Sequence, residues 1–99
     1  MSRARTVWRI DALLDGEAAP GQPWRYVVAD MRGAVRAVRR SVAAGSDSLD
    51  IDVYRRGRMR SLLALRCDTC GQWWGRQRRA RLARCLGIPF ACQCRRSLQ

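Results

Sequence analysis

Residues 48–71 read SLDIDVYRRGRMRSLLALRCDTCG, and three changes of texture within them decide the fold. SLDIDVY alternates Leu49, Ile51 and Val53 against Asp50, Asp52 and Tyr54. A two-residue period of this kind sends the apolar side chains to one face of a half-buried strand. RRGR (55–58) reads as a tight turn, and MRSLLALR (59–66) as the returning strand of a hairpin. That strand runs without a linker into Cys67-Asp68-Thr69-Cys70-Gly71, where the chemistry changes from packing to sulfur.

Working upstream, the segment MRGAVRAVRRSVAA (31–44) has helical period, with Asp30 as its N-cap and Gly45 at the C′ position. Met31, Ala34, Val35, Val38 and Val42 form the expected core-facing arc, and Arg32, Arg36, Arg39 and Arg40 a solvated one beside it. Gly33 falls in the first turn, where its cost to the helix is smaller. Before the helix, TVWRIDALL (6–14) alternates Trp8, Ile10 and Ala12 against Arg9 and Asp11, and WRYVVA (24–29) places Trp24, Tyr26 and Val28 on one face. DGEAAPGQP (15–23) between them reads as a long hairpin loop. The order is β-β-α-β-β, an α+β fold in which one helix covers a small four-stranded antiparallel or mixed sheet. Residues 1–66 are expected to form this sheet unit, and residues 67–99 a separate cysteine-rich, basic segment.

Downstream, residues 75–86 (GRQRRARLARCL) read as a short basic helix ended by Gly87, with Pro89 just beyond. Leu82, Cys85 and Leu86 share its inner face, a narrow apolar seam that needs a second anchor. Sulfur supplies one. Cys67 and Cys70 form a two-residue-spaced pair, and Cys92 and Cys94 a second pair after twenty-one intervening residues. Tetrahedral thiolate coordination of Zn²⁺ is usually met by two such close pairs from separate loops. The fifth, Cys85, reads as a small buried residue on its helix, with ligation in place of Cys92 or Cys94 as the alternative. A redox dithiol would sit at a helix N-terminus, whereas Gly-Gln-Trp-Trp-Gly follows Cys70 here.

Strand, CDTCG, intervening segment and ACQC together resemble a zinc ribbon or zinc knuckle over residues 62–95, about a third of the chain. The resemblance implies a structural zinc and a contact with nucleic acid or protein. It points to no narrower family.

Charge indicates the partner. Residues 1–54 hold eight Arg against seven acids, and residues 55–99 hold twelve Arg against Asp68 alone. The net charge of +12 is therefore concentrated in the second half, which attracts polyanions. Every basic residue is Arg, and Lys, His and Asn are absent. A GC-rich genome, bacterial or phage, writes such a bias, but it does not explain the asymmetry between halves. Arg76, Arg78, Arg79, Arg81 and Arg84 are the candidate phosphate contacts. Trp73 and Trp74 at their root serve either as a base-stacking platform or as packing over the metal, with one ring exposed.

Other function classes recede. Without histidine there is no histidine triad, base or ligand, and a four-thiolate site leaves no open position for a reactive water. Asp50 and Asp52 on an outer strand face suit a solvated surface or salt bridges to strand arginines. No enzymatic role is expected. Neither an apolar leader core nor a run approaching the ~18 apolar residues of a membrane span is visible, which implies a reducing cytoplasm. The expectation is a zinc-stabilised binder of nucleic acid, DNA ahead of RNA, or else a module docking on an acidic host protein.

Overall fold

A computed structural model of the protein describes residues 6–20, 23–76, 85–89, 92 and 94. Among them the chain forms β1 (Thr6–Leu14), β2 (Glu17–Ala18), β3 (Arg25–Val28), α1 (Met31–Ala43), β4 (Ser48–Arg55), β5 (Arg58–Arg66) and β6 (Trp73–Arg76). The six strands make one antiparallel sheet in the order β2-β1-β4-β5-β6, with β3 also paired to β1. The α+β class and the β-β-α-β-β order hold, extended by the short β2 and by β6.

The first connection differs from the expected long loop. Asp15 and Gly16 both take positive φ, 53° and 81°, so the chain reverses in two residues and Leu14 pairs at once with Glu17. A turn of this kind matches the right-handed twist of the strands it joins, and Asp-Gly is among its favoured sequences. The β1 neighbour is then one strand interrupted by an excursion. The Ala12 C=O accepts from the Ala19 N–H at 2.9 Å, and the Ala12 N–H donates to the Trp24 C=O at 2.7 Å. Arg56 and Gly57, at φ 51° and 74°, repeat the same turn between β4 and β5.

Register fixes the two sheet faces. Trp8, Ile10 and Ala12 lie opposite Val53, Ile51 and Leu49, which in turn face Arg60, Leu62 and Ala64. All but Arg60 are buried, beneath α1 and beside Leu86 and Ile88 of the C-terminal segment. The helix begins as expected, its Asp30 side chain accepting from the Gly33 N–H at 2.7 Å. The face it buries is shifted from the expected one, keeping Ala34, Val35 and Val38 but not Met31 and Val42. Ala34, Ala37, Val38 and Ser41 are buried, Val35 is half-buried, and Met31 and Val42 are exposed. Small side chains let a helix lie close to a sheet, and Ser41 satisfies its hydroxyl locally by donating to the Ala37 C=O at 2.8 Å. Arg32, Arg36, Arg39 and Arg40 are all exposed.

The opposite face carries the polar residues of β1, β3 and β4. Arg25 grips Asp11 with two hydrogen bonds, at 2.8 and 3.1 Å. Arg9 pairs with Asp52, whose other oxygen accepts from the Ser61 hydroxyl at 2.6 Å. Asp11 and Asp52 are buried beneath these partners, so their charges are paired rather than solvated.

Candidate metal centre

Strand β5 delivers Cys67 to one end of the sheet. There the chain turns tightly: the Gly71 N–H donates to the Cys67 C=O at 2.8 Å, and the Cys67 N–H to the Gln72 C=O at 2.9 Å. The turn sets Cys70 beside Cys67 and feeds β6 back along β5. The later segment returns beside β6, where the Gly75 N–H donates to the Pro89 C=O at 2.8 Å, and brings Cys92 and Cys94 to the same end.

The four sulfurs of Cys67, Cys70, Cys92 and Cys94 lie within 4.8 Å of one another. A tetrahedral thiolate site with metal–sulfur bonds of about 2.3 Å has sulfurs about 3.8 Å apart, so only a small contraction separates this cage from a ligating one. Cys92 is fully buried, Cys67 and Cys94 are half-buried and Cys70 is exposed, the gradient of a site at the rim of a small core.

The cage is chemically prepared for a cation. Backbone N–H groups of Cys70, and then Thr69, hydrogen-bond the Cys67 sulfur and lower its pKa to about 6. Cys94 is pushed up to about 12, first by the Cys70 side chain and then by burial. The protein backbone thus supports one thiolate, while further negative charge in so small a volume is resisted by its neighbours. A dication reverses that resistance, since each thiolate then faces positive charge.

Cys85 is outside the cage. It is exposed, contrary to its expected burial, and lines a cleft beside Arg58 and Arg60 at the opposite end of β5. The expected helix over 75–86 is also corrected at its start. Gly75 and Arg76 belong to β6, pairing with Ala64 and Leu63. Arg78, Arg79, Arg81 and Arg84 lie outside the described residues.

Neither tryptophan is exposed. Trp74 is buried opposite Leu65 and, together with Cys67, Asp68 and Thr69, walls a hollow beside the cage. Trp73 is half-buried against the main core. Adjacent strand residues point to opposite faces, so the pair packs both sides of the sheet at the base of the metal site.

Sequence reading overlooked one group. Arg55, Arg56, Arg58 and Arg60 are all exposed at the β4–β5 hairpin. Arg55, Arg56 and Arg58 were legible only as turn residues, because RRGR carries its local turn signal and its charge in the same four letters, and Arg60 only as part of the returning strand. No family model, curated protein or solved structure matches the chain.

Proposed function

We propose that the protein is a small zinc-stabilised nucleic-acid-binding protein that grips DNA mainly through phosphates and with little base specificity. The cage of Cys67, Cys70, Cys92 and Cys94 supports the metal half of this reading, because a set of four thiolates in tetrahedral reach is the donor set of structural zinc. Charge supports the other half: twelve arginines against one acid in residues 55–99 create a field that selects polyanions. Such a thiolate site is kept intact by a reducing compartment. Among the described residues no helix is long and apolar enough to cross a membrane.

A second reading, docking on an acidic surface of another protein, is favoured by one observation. Tyr54 and Met59 face each other across β4 and β5, both exposed, next to the hairpin arginines. Apolar groups ringed by arginine are common at protein interfaces. The readings separate in a salt series with the zinc-loaded protein and unrelated DNA fragments, RNA and heparin. Binding to all three that weakens linearly in log salt is the expected result. Absence of binding to any of them at low salt would leave the protein-docking reading in its place.

A further inference from the structure

The hairpin end of the sheet holds a cleft of about 850 Å³. Its walls include Arg55, Arg56, Arg58 and Arg60, and its floor Trp8 and Val53. The placement of these arginines is informative. Thr6 lies opposite Arg55, Arg55 opposite Arg58 and Val53 opposite Arg60, so Arg55, Arg58 and Arg60 share the sheet face that buries the core. The two-residue alternation that supplies Ile51, Val53 and Leu62 to the core switches to arginine on the same face as the hairpin extends beyond α1. Met31, the first residue of the helix, stands at the edge of the cleft.

These guanidiniums differ from those of β1 and β3. Arg9 and Arg25 are each held by an aspartate. Among the described residues, none of the four cleft arginines has a carboxylate partner. The one acid in the cleft wall, Asp30, already gives an oxygen to the Gly33 N–H at the start of α1. Arg55 and Arg58 face each other across the ladder, an arrangement of like charges that disfavours the hairpin on its own. A bound polyanion removes that repulsion, and guanidiniums are the side chains best shaped to take phosphate oxygens in pairs.

The C-terminal segment reaches the same place. β6 runs away from the metal end, and Cys85 lines the cleft. Cys85 therefore sits at this cleft, far from the thiol cage. Eight strand steps from Arg58 to Arg66 put the thiol cage roughly 27 Å away.

Resting on the nucleic-acid reading above, we infer that this hairpin cleft is the phosphate-binding site, taking the sugar–phosphate backbone of a nucleic acid between the β4–β5 hairpin and the N-terminal end of α1, with the metal cage as a remote structural anchor.

Two measurements on the full, zinc-loaded chain test this, using a labelled single-stranded DNA of about 20 nucleotides and its duplex. The first compares salt slopes. Replacing Arg55 and Arg58 together (Arg55→Gln, Arg58→Gln) should lower the slope of log K against log salt by roughly 1.5 units, without loss of zinc or of thermal stability. The pair Arg39→Gln, Arg40→Gln, exposed toward the C-terminal end of α1, should leave the slope unchanged. The second uses Cys85 as a reporter, because the metal protects the other four thiols. Alkylation of Cys85 by a maleimide should slow several-fold when the DNA is saturating. If the parent binds DNA but the slope is unchanged in the hairpin variant or DNA leaves the Cys85 rate unchanged, the cleft is not the site, and the nucleic-acid reading survives elsewhere on the chain. If the parent binds no DNA at low salt, that reading itself fails. Binding of poly-glutamate in place of DNA, lost in the hairpin variant, would assign the cleft to an acidic protein and overturn the inference.

Discussion

Gly33 shows how a single atom decides against a general preference. Helix propensity favours alanine over glycine by about 1 kcal/mol in a helix interior. A Cβ at this position would meet the Val28 Cβ and the Asp30 Oδ1 at 3.0 Å each. The close approach of the end of β3 therefore leaves little room for a Cβ, and Gly33→Ala should lower the unfolding free energy by about 1–2 kcal/mol in urea denaturation. Asp50 provides a second residue-level test. It stands opposite Asp11, and burial, followed by the charges of Asp52 and Asp11, raises its pKa above the ordinary 3.8. A carboxyl raised in the folded state adds stability below its ordinary pKa, and that stability is lost as pH rises through the raised value. Asp50→Asn should thus raise the unfolding free energy in urea at pH 7, by about a few tenths of a kcal/mol for a half-buried group, and leave it unchanged near pH 3. At this scale the sequence was legible where charge pairs with charge, as between Arg9 and Asp52. It was not legible at Gly33, because steric closeness depends on a neighbour that only the fold supplies. The same applies to α1, where hydropathy favours Met31 and Val42 but the short distance to the sheet selects Ala37 and Ser41.

At the scale of elements, β1, α1, β4 and β5 could be read from period and caps because each signals its structure locally. The β6 segment could not. WWGR has no room for alternation, and the arginines that follow it invite a helical reading from Gly75 onward. What makes Trp73–Arg76 a strand is the free edge of β5 beside it, together with the turn at Cys67–Gln72 that aims the chain back along that edge. Trp74 is the element's principal anchor, buried opposite Leu65 beside the thiol cage. Trp74→Ala should cost about 3 kcal/mol of stability and accelerate zinc loss to a chelator, with Trp73→Ala, at a half-buried position, milder on both counts. Equal effects of the two variants would mean that β6 is held by its ladder hydrogen bonds rather than by the buried ring.

Over the whole molecule, structure and charge are arranged along the length of β5. One end holds four converging thiols, and the other holds arginines that have no carboxylate partner among the described residues, on a tight turn. Cysteine spacing made the first end readable in sequence, since two close pairs allow few arrangements around one cation. The second end was hidden: its arginines gain meaning only from register, which shows them on the core face of the sheet. Both ends rely on the cage. Cys92 and Cys94 bring the return segment home, and Leu86 and Ile88 of that segment complete the core that supports the hairpin end. The most direct test is the native mass of the protein, freshly purified under reducing conditions, before and after a chelator, with Cys67→Ser alongside. One zinc per chain in the parent, removed by the chelator with loosening of β6 and the C-terminal segment, and absent from Cys67→Ser, is the predicted result. A parent that carries only traces of zinc, or a Cys67→Ser variant that retains a full equivalent, would contradict the account.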